Sequence, residues 1–369
     1  MISDGAIVPR PLGKASCNDC GHGFHVEPIQ DNQLRELYGD AYSLGLRDKS
    51  ADADRASGYC EHISEHLGSL DRHIERGHVV VEFGCGTGHL LRKISQKWQP
   101  RRLVGIEPAP KLANKARELN GKYVEIIESY AESSVPLVKD ADFAISVNVI
   151  EHALDPVAFL KTCRDSINER GTILVICPDG NYPHSELLFY DHVSSFSVTS
   201  FERAASQAGL KMLHSATLGN GQEGFQLFVL APDGSAQEPS AGSAASFQEL
   251  SEGRGRYLKG WATLEQGVRN QIGSDRYAIF GIGEYADLLS AYCPGIIGAA
   301  ECFVVDNAPQ PEYRGKPLLS LDAFRQEKPD TRILAAVNPR SWKYLIERLR
   351  SGSVVANHPY EFSELRSAL

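Results

Sequence analysis

Two segments carry side chains able to move a proton: Asn148-Val-Ile-Glu151-His152 and Phe189-Tyr190-Asp191-His192-Val-Ser-Ser-Phe-Ser. A neutral imidazole, with an ordinary pKa of roughly 6.5, takes a proton near neutral pH, and a neighbouring carboxylate can orient it or raise its basicity. His192, with Asp191 beside it, and His152 are therefore candidate general bases. Adjacent residues need not face the same way. His152 can equally cap the helix DPVAFLKT, and His192 can satisfy backbone groups in a surface loop.

A second chemical feature precedes them. The apolar run VVVEF leads into Gly84-Cys85-Gly86-Thr87-Gly88, a helix follows, and Glu107 ends the next apolar run 23 positions after Gly84. A strand, a glycine loop and a helix in this order bind an adenosine-containing cofactor at the carboxyl ends of a parallel sheet. Glycine lets the backbone turn tightly and leaves room for the ligand, and the Glu107 carboxylate can accept from both ribose hydroxyls. The loop is G-x-G-x-G, whereas the dinucleotide fingerprint is G-x-G-x-x-G/A. Glu82, just before the loop, would repel a pyrophosphate but suits a sulfonium and an ammonium. The spacing and the charge favour S-adenosylmethionine over NAD.

The surrounding text supplies the elements that must position these groups. From His78 onward strands and helices alternate: HVVVEFGCG, HLLRKISQKW, RRLVGIEP, KLANKARELN, YVEII, DFAISVNV, DPVAFLKTCRDSI, GTILVICP and VTSFERAASQAG. Such alternation predicts a parallel sheet covered on both faces, an α/β class. Two closing runs near KMLHSATL and GFQLFVLAP predict an antiparallel hairpin at one edge. Upstream, DNQLRELYGDAYSLG and the stretch around CEHISEHLGSLDRHIERG predict helices. The expected domains are 1–75 (knuckle and lead-in helices), 76–232 (seven-stranded doubly wound sheet), a small-residue linker at 233–246, and 247–369. The last comprises a long helix and a second, smaller Rossmann-like α/β unit of three or four strands.

VVEFGCGTGHLL, GIEPAPKLANKA and SVNVIEHALDPVAFL resemble the class I S-adenosylmethionine-dependent methyltransferases. GIEPA and YDHVSSFS are most similar to the enzymes that C-methylate nucleotide-linked deoxysugars. The resemblance implies that Glu82, Gly84, Gly86 and Gly88 hold the methionine part and Glu107 the ribose. It places Pro108 and Ala131 against the adenine and Asn148 near the methyl group. It also implies His192 as base with Asp191 as its acidic neighbour, His152 after the fourth strand, and Tyr42 and Tyr190 toward a nucleotide-sugar acceptor. Packing of the lead-in helix is the alternative for Tyr38, which shares a face with Tyr42. Phe189 and Ser195 stand where that family has tyrosines, which removes phenols that could hold an enolate and leaves C-, O- and N-methylation open.

Cys17-Asn-Asp-Cys20-Gly-His22-Gly-Phe-His25 has the C-x2-C turn of a zinc knuckle. Tetrahedral zinc takes four ligands, and the second cysteine pair of the resembling family is absent from the first 16 residues. His22, His25, Cys60 or His62 could complete a site; a metal-free knuckle is the other reading. Further on, Gly281-Ile-Gly283-Glu-Tyr-Ala286 opens a helix, and Asp306 follows 25 positions after Gly281. Alone this is the dinucleotide fingerprint of an NAD-dependent oxidoreductase. In the resembling family the corresponding unit helps to hold the nucleotide sugar, which makes Gly281, Gly283, Asp306, Asn338 and Arg340 candidates, Arg340 for a diphosphate. A unit kept for packing remains the bland alternative.

Composition bounds all of this. The 369 residues are 42% hydrophobic and 23% charged, with 47 acidic against 38 basic side chains and a formal charge of −9. The length exceeds one typical core, and the acidic balance argues against a nucleic-acid partner. No run approaches the roughly 20 apolar residues of a membrane span. The opening MISDGAIVPRPLGKAS lacks a signal-peptide layout, so a cytoplasmic protein is expected. Eight cysteines, several inside apolar runs, suit reduced thiols.

Overall fold

A computed structural model describes residues 1–38, 42, 49–131, 138–233, 244–350 and 354–369. The chain divides into two compact units, Arg10–Ser251 and Met1–Pro9 with Glu252–Leu369. The residues of the expected 1–75 module fall in both units, 1–9 in one and 10–75 in the other. Residues 234–243 of the expected linker lie outside the described residues.

The larger unit opens with a hairpin, β1 (Lys14–Ser16) and β2 (Gly23–His25), whose connecting turn is the C-x2-C knuckle. Helices α1 (Asp31–Leu37) and α2 (Lys49–Gly68) follow. The second starts upstream of the expected segment and ends at Gly68, so SLDRHIERG forms turns instead of helix. Then come β3 (Val79–Phe83), α3 (His89–Trp98), β4 (Arg102–Glu107), α4 (Pro110–Asn120), β5 (Glu125–Glu128) and β6 (Ala141–Val147). They are followed by α5 (Pro156–Ser166), β7 (Ile167–Pro178), the short β8 (Ser194–Ser195), α6 (Val198–Gln207), β9 (Leu210–Thr217) and β10 (Phe225–Pro232).

Seven strands form one sheet in the order β5-β4-β3-β6-β7-β10-β9. The first five run parallel and β10 pairs antiparallel with both β7 and β9. This is the expected doubly wound sheet with its antiparallel edge. The order reverses at β3, between β4 and β6, and such a switch point opens a crevice at the carboxyl ends of the strands. All five β3 residues are buried because strands flank them and helices cover both faces. Val79, Val81 and Phe83 face one core with Phe159, Phe201 and Phe228, the last two stacked with centroids 3.7 Å apart. Val80 faces the other, with Ile63, Leu67, Leu91 and Ile94 from α2 and α3. The helices are begun by their sequence: Asp155 caps α5 by accepting from Ala158 N–H at 2.9 Å, ahead of Pro156, and Ser197 caps α6 from Ser200 N–H at 3.1 Å.

The long helix α7 (Ala244–Ile272) leads into the smaller unit. That unit holds β11 (Tyr277–Phe280), α8 (Glu284–Tyr292), α9 (Pro294–Ala299), β12 (Phe303–Val305), β13 (Glu312–Tyr313), β14 (Lys316–Ser320), α10 (Leu321–Glu327), β15 (Arg332–Ala335), α11 (Pro339–Arg350) and β16 (Ala356–Asn357). Its sheet has the order β13-β14-β12-β11-β15-β16. The six strands exceed the expected three or four because β13 and β16 are too short to show apolar alternation and Pro317 interrupts it in β14. Trp261 Nε1–H donates to the Tyr360 hydroxyl at 2.9 Å, and the N-terminal ammonium of Met1 to that of Tyr292 at 3.1 Å. Among the described residues no helix is long and apolar enough to cross a membrane.

Candidate active site

The glycine loop runs from β3 to α3 with Gly84, Gly86 and Gly88 at φ of 70°, 54° and 79°, a left-handed region that favours glycine. A Cβ on Gly84 would stand 2.3 Å from Val149 Cγ2, and one on Gly88 2.5 Å from Asn120 Nδ2. A Cβ on Gly86 would meet nothing within 4 Å. Gly84 and Gly88 are therefore required by packing, whereas Gly86 borders open space that a ligand can occupy.

Two carboxylates frame this loop. Glu107 accepts from Gly86 N–H at 2.8 Å and from Ala109 N–H at 2.9 Å, one bond to each oxygen. Each oxygen keeps a lone pair for a hydroxyl. Burial raises the Glu107 pKa to about 7 although those bonds oppose it. Glu82 is 3% exposed and its Oε2 is buried with no hydrogen-bond partner. Burial, followed by the charge of Glu107, holds its pKa well above the usual carboxylate range. At the end of β6, Asn148 takes a left-handed φ of 56°, donates from Nδ2 to the Tyr59 hydroxyl at 3.2 Å, and leaves Oδ1 buried without a partner. Unpartnered buried acceptors such as Glu82 Oε2 and Asn148 Oδ1 are costly unless a donor arrives. The ammonium of S-adenosylmethionine is such a donor and its sulfonium adds positive charge near the carboxylates, so these residues fit that cofactor. Pro108 is half-buried, and Ala131, also half-buried, packs against the core beside β6.

The catalytic candidates come together in this same unit. The His152 and His192 rings meet edge to face with centroids 4.8 Å apart. His152 Nδ1 lies 2.9 Å from the Asp191 backbone carbonyl and 2.7 Å from the Tyr38 hydroxyl. A carbonyl only accepts, so Nδ1 carries the proton and Nε2 is the basic nitrogen. Burial lowers the His152 pKa to about 4, against the pull of Asp191, which keeps this ring neutral.

His192 behaves oppositely. Burial disfavours its charge, but the facing Glu186 carboxylate and then the charges of Asp191 and Glu151 outweigh burial and raise its pKa. Its Nδ1 stands 3.5 Å from Glu186 Oε2, an ion-pair separation. Glu186 is buried, yet the facing His192, then the neighbouring His184, hold its carboxyl at about 2. Of the two histidines, His192 is the stronger base.

Glu186 is a correction to the sequence reading, which gave His192 Asp191 as its acid. The Asp191 carboxylate faces the other way, accepting from the Tyr38 hydroxyl at 3.3 Å and lying 3.7 Å from His152 Nδ1. Ser195, standing where a tyrosine was expected, donates its hydroxyl to Glu186 Oε1. Glu186 escaped notice because it lies six residues before His192, in a 3-10 turn with no periodicity. Glu151 was seen only as a neighbour of His152; burial raises its pKa to about 7 despite the attraction of His192.

The knuckle has a structural part in this site. Strand β2 pairs with β8, Gly23 opposite Ser195 and Phe24 opposite Ser194. Lys14 Nζ donates to the His192 carbonyl, His25 Nε2 to the Tyr190 carbonyl at 2.9 Å, and Ser197 Oγ to the Cys20 carbonyl at 2.5 Å. The hairpin thus clamps the loop that carries His192. The zinc expectation is corrected accordingly: among the described residues no third ligand joins Cys17 and Cys20 in a metal cluster. His25 is spent on Tyr190, His22 stacks on Phe24 and tilts on Phe196, and Cys60 is in the core.

Tyr190 packs its ring on His25 at 5.2 Å, a supporting place for a residue expected at the substrate. The buried Tyr42 meets Tyr38 edge to face at 4.8 Å. Tyr38, for which the sequence leaves acceptor lining and helix packing both open, is the tyrosine bonded to His152 and Asp191. Tyr38→Phe should lower kcat about tenfold, the equivalent of one hydrogen bond to a charged group, with cofactor Kd unchanged. An unaltered kcat would remove Tyr38 from the site.

In the smaller unit, Gly281 has φ 103° and its Cβ would stand 2.8 Å from the Ala336 carbonyl; Gly283 precedes α8. Glu284 and Asp287 occupy the first turn of α8, where a pyrophosphate would need to sit. Asp306 pairs with Arg348 at 3.0 Å, and Asn338 Oδ1 accepts from the exposed Arg340 N–H at 3.0 Å at the start of α11. The ribose acid of the NAD fingerprint is thus engaged by an arginine, and the charge at α8 is of the wrong sign for a dinucleotide.

Comparison with known proteins agrees with this geometry. Residues 52–215, from α2 into β9, match a family described as a methyltransferase domain. An uncharacterised methyltransferase of Geobacillus sp. is 32% identical over 120 residues, 30% of this chain and 55% of that protein. A ubiquinone biosynthesis O-methyltransferase of Cereibacter sphaeroides is 26% identical over 126 residues, 32% of this chain and 49% of that protein. The chain spans about half the length of these curated relatives. Among solved structures, an S-adenosylmethionine-dependent methyltransferase from Clostridium acetobutylicum is 10% identical with a TM-score of 0.41, covering 55% of this chain and 99% of that one.

Proposed function

We propose, from the match of residues 52–215 to a methyltransferase-domain family, that the chain is an S-adenosylmethionine-dependent methyltransferase that acts on a small-molecule acceptor with His192 as general base. The observation that carries the proposal is the buried Glu186–His192 pair beside the neutral His152, in the unit that also holds the unpartnered Glu82 Oε2 and Asn148 Oδ1. Gly84, Gly86 and Gly88 give the cofactor's methionine part close backbone, and Glu82 receives its ammonium. Glu107 receives the ribose hydroxyls, Pro108 and Ala131 border the adenine, and Asn148 borders the reacting end. When bound, S-adenosylmethionine supplies a methyl group on a sulfonium, open to in-line displacement.

The chain's own residues prepare the acceptor. His192 takes its proton on the nitrogen remote from Glu186, and the Glu186 carboxylate stabilises the imidazolium that results. His152, protonated on Nδ1 and fixed by Asp191 and Tyr38, keeps a neutral face toward His192. Alignment of acceptor and methyl within this buried cluster lowers the barrier, and no covalent enzyme intermediate is needed.

For the acceptor, a nucleotide-activated sugar is the reading that the resemblance of GIEPA and YDHVSSFS supports, with methylation at a carbon beside a ketone or at a hydroxyl. Either would present His192 with an acidic C–H or O–H. The altered Phe189 and Ser195 favour the hydroxyl, since Ser195 is committed to Glu186.

Titration calorimetry with S-adenosylmethionine and with NADH tests the cofactor. The expected result is saturable binding of the sulfonium compound, tightening about tenfold from pH 6 to pH 8. The sign follows from Glu107: its pKa of about 7 leaves it mostly protonated at pH 6, and the ligand's hydroxyls and positive charge favour the ionised form. Tight NADH binding without affinity for S-adenosylmethionine would refute the assignment.

A further inference from the structure

On the face of α2, away from the groups assigned above, His62, Glu65 and His66 lie at i, i+3 and i+4, the spacing that puts three side chains on one helical stripe. One ligand atom from each lies within 4.8 Å of the other two. His214, on the edge strand β9, faces the same group, its Nε2 3.0 Å from His66 Nδ1.

The tautomer of His62 is fixed by its surroundings. Its Nε2 sits 3.0 Å from the Gly219 carbonyl, which only accepts, so Nε2 carries the proton and Nδ1 presents a bare lone pair. That Nδ1 is buried in a residue 6% exposed and has no hydrogen-bond partner. The group facing it is Glu65 Oε2, 4.0 Å away, another acceptor. Two acceptors aimed at each other repel unless a cation stands between them. Zinc bonds to imidazole nitrogen at about 2.0–2.1 Å and to carboxylate oxygen at about 2.0–2.2 Å in tetrahedral geometry, so a small movement of the exposed Glu65 carboxylate toward His62 lets one ion bridge the two.

A metal-bound imidazole is oriented by the partner of its other nitrogen; here Gly219 holds His62 and His214 holds His66.

We propose that His62, Glu65 and His66 form a site for a divalent transition metal of the zinc class, with His214 orienting His66 and solvent completing the coordination. A metal there staples α2 to β9 and to the turn at Gly219. Helix α2 also carries Tyr59, whose hydroxyl accepts from Asn148, so the staple fixes a helix that touches the candidate active site.

The test uses the full chain stripped with EDTA and dialysed, titrated with Zn²⁺ by calorimetry and with Co²⁺ by visible absorption. One saturable equivalent, a Co²⁺ ligand-field band and a melting temperature raised by Zn²⁺ are expected. Glu65→Ala and His66→Gln alter partly exposed side chains and should each weaken Zn²⁺ at least tenfold. His214→Gln should weaken it less, and the paired Cys17→Ser, Cys20→Ser variant should leave it unchanged. Absence of saturable binding, or binding that survives Glu65→Ala and His66→Gln but is lost with the cysteines or with His192→Ala, would overturn the proposal.

Discussion

Replacing His192 with alanine is expected to lower the methyl-transfer rate by about 10²- to 10⁴-fold, the usual contribution of a general base, while S-adenosylmethionine affinity changes less than twofold. The separation follows from the structure: the cofactor candidates lie on the β3 loop, the end of β4 and the end of β6, whereas His192 lies in the loop before β8. Glu186→Gln is the companion measurement. Glu186 raises the His192 pKa, so without its charge the imidazolium loses its proton more readily. The acid limb of kcat/KM should therefore move to lower pH as the maximal rate falls. A variant that merely loosened the loop would lower the rate without moving the limb. Full activity in His192→Ala would end its assignment as base.

Gly84→Ala and Gly86→Ala should fail in different ways. At Gly84 the new methyl group meets Val149 at 2.3 Å with φ at 70°, and Val149 packs on the core cluster beneath. Left-handed backbone costs a non-glycine residue about 1–2 kcal/mol and overpacking a further 1–3 kcal/mol or so. The melting temperature should fall by several degrees or more even without ligand. At Gly86 the backbone cost is similar but the methyl meets nothing within 4 Å. Gly86→Ala should therefore stay folded and instead lose cofactor affinity, because its Cβ fills space left to the ligand. Thermal melts with and without S-adenosylmethionine distinguish the two. A Gly86→Ala protein that binds the cofactor normally would show that this space is not the cofactor's.

The central sheet was legible because its signals are local. VVVEF, LVGIE and FAIS are buried strand segments bounded by glycine, proline and polar residues, and glycine spacing plus Glu82 pointed to the cofactor class without coordinates. The two-unit division was less legible: the knuckle reads as a separate module, yet its hairpin pairs with β8, far along the chain, and no composition shift marks such a pairing. Helix α2 was misplaced because its polar first half shows little apolar periodicity. The acid of the base was misjudged for a similar reason. Asp191 adjoins His192 in sequence, but the 3-10 turn at Ser185–Leu188 brings Glu186 to the imidazole and turns Asp191 toward Tyr38 and His152.

By itself the sequence determined the α/β class, the glycine loop with its two framing carboxylates, and the histidine segments after the strands. Each is written within a dozen or so residues, where strand, turn and helix propensities act. Only the tertiary structure decided which acid faces which histidine, that Tyr38 bonds to His152 and Asp191, and that the cysteine knuckle clamps the loop carrying His192. It also decided that His214 meets His66 across 148 residues of chain. The physical reason is common to all four. Electrostatic and hydrogen-bond partnerships depend on distances of a few ångströms, and those are set by how helices and hairpins pack on the sheet, not by neighbours in the chain.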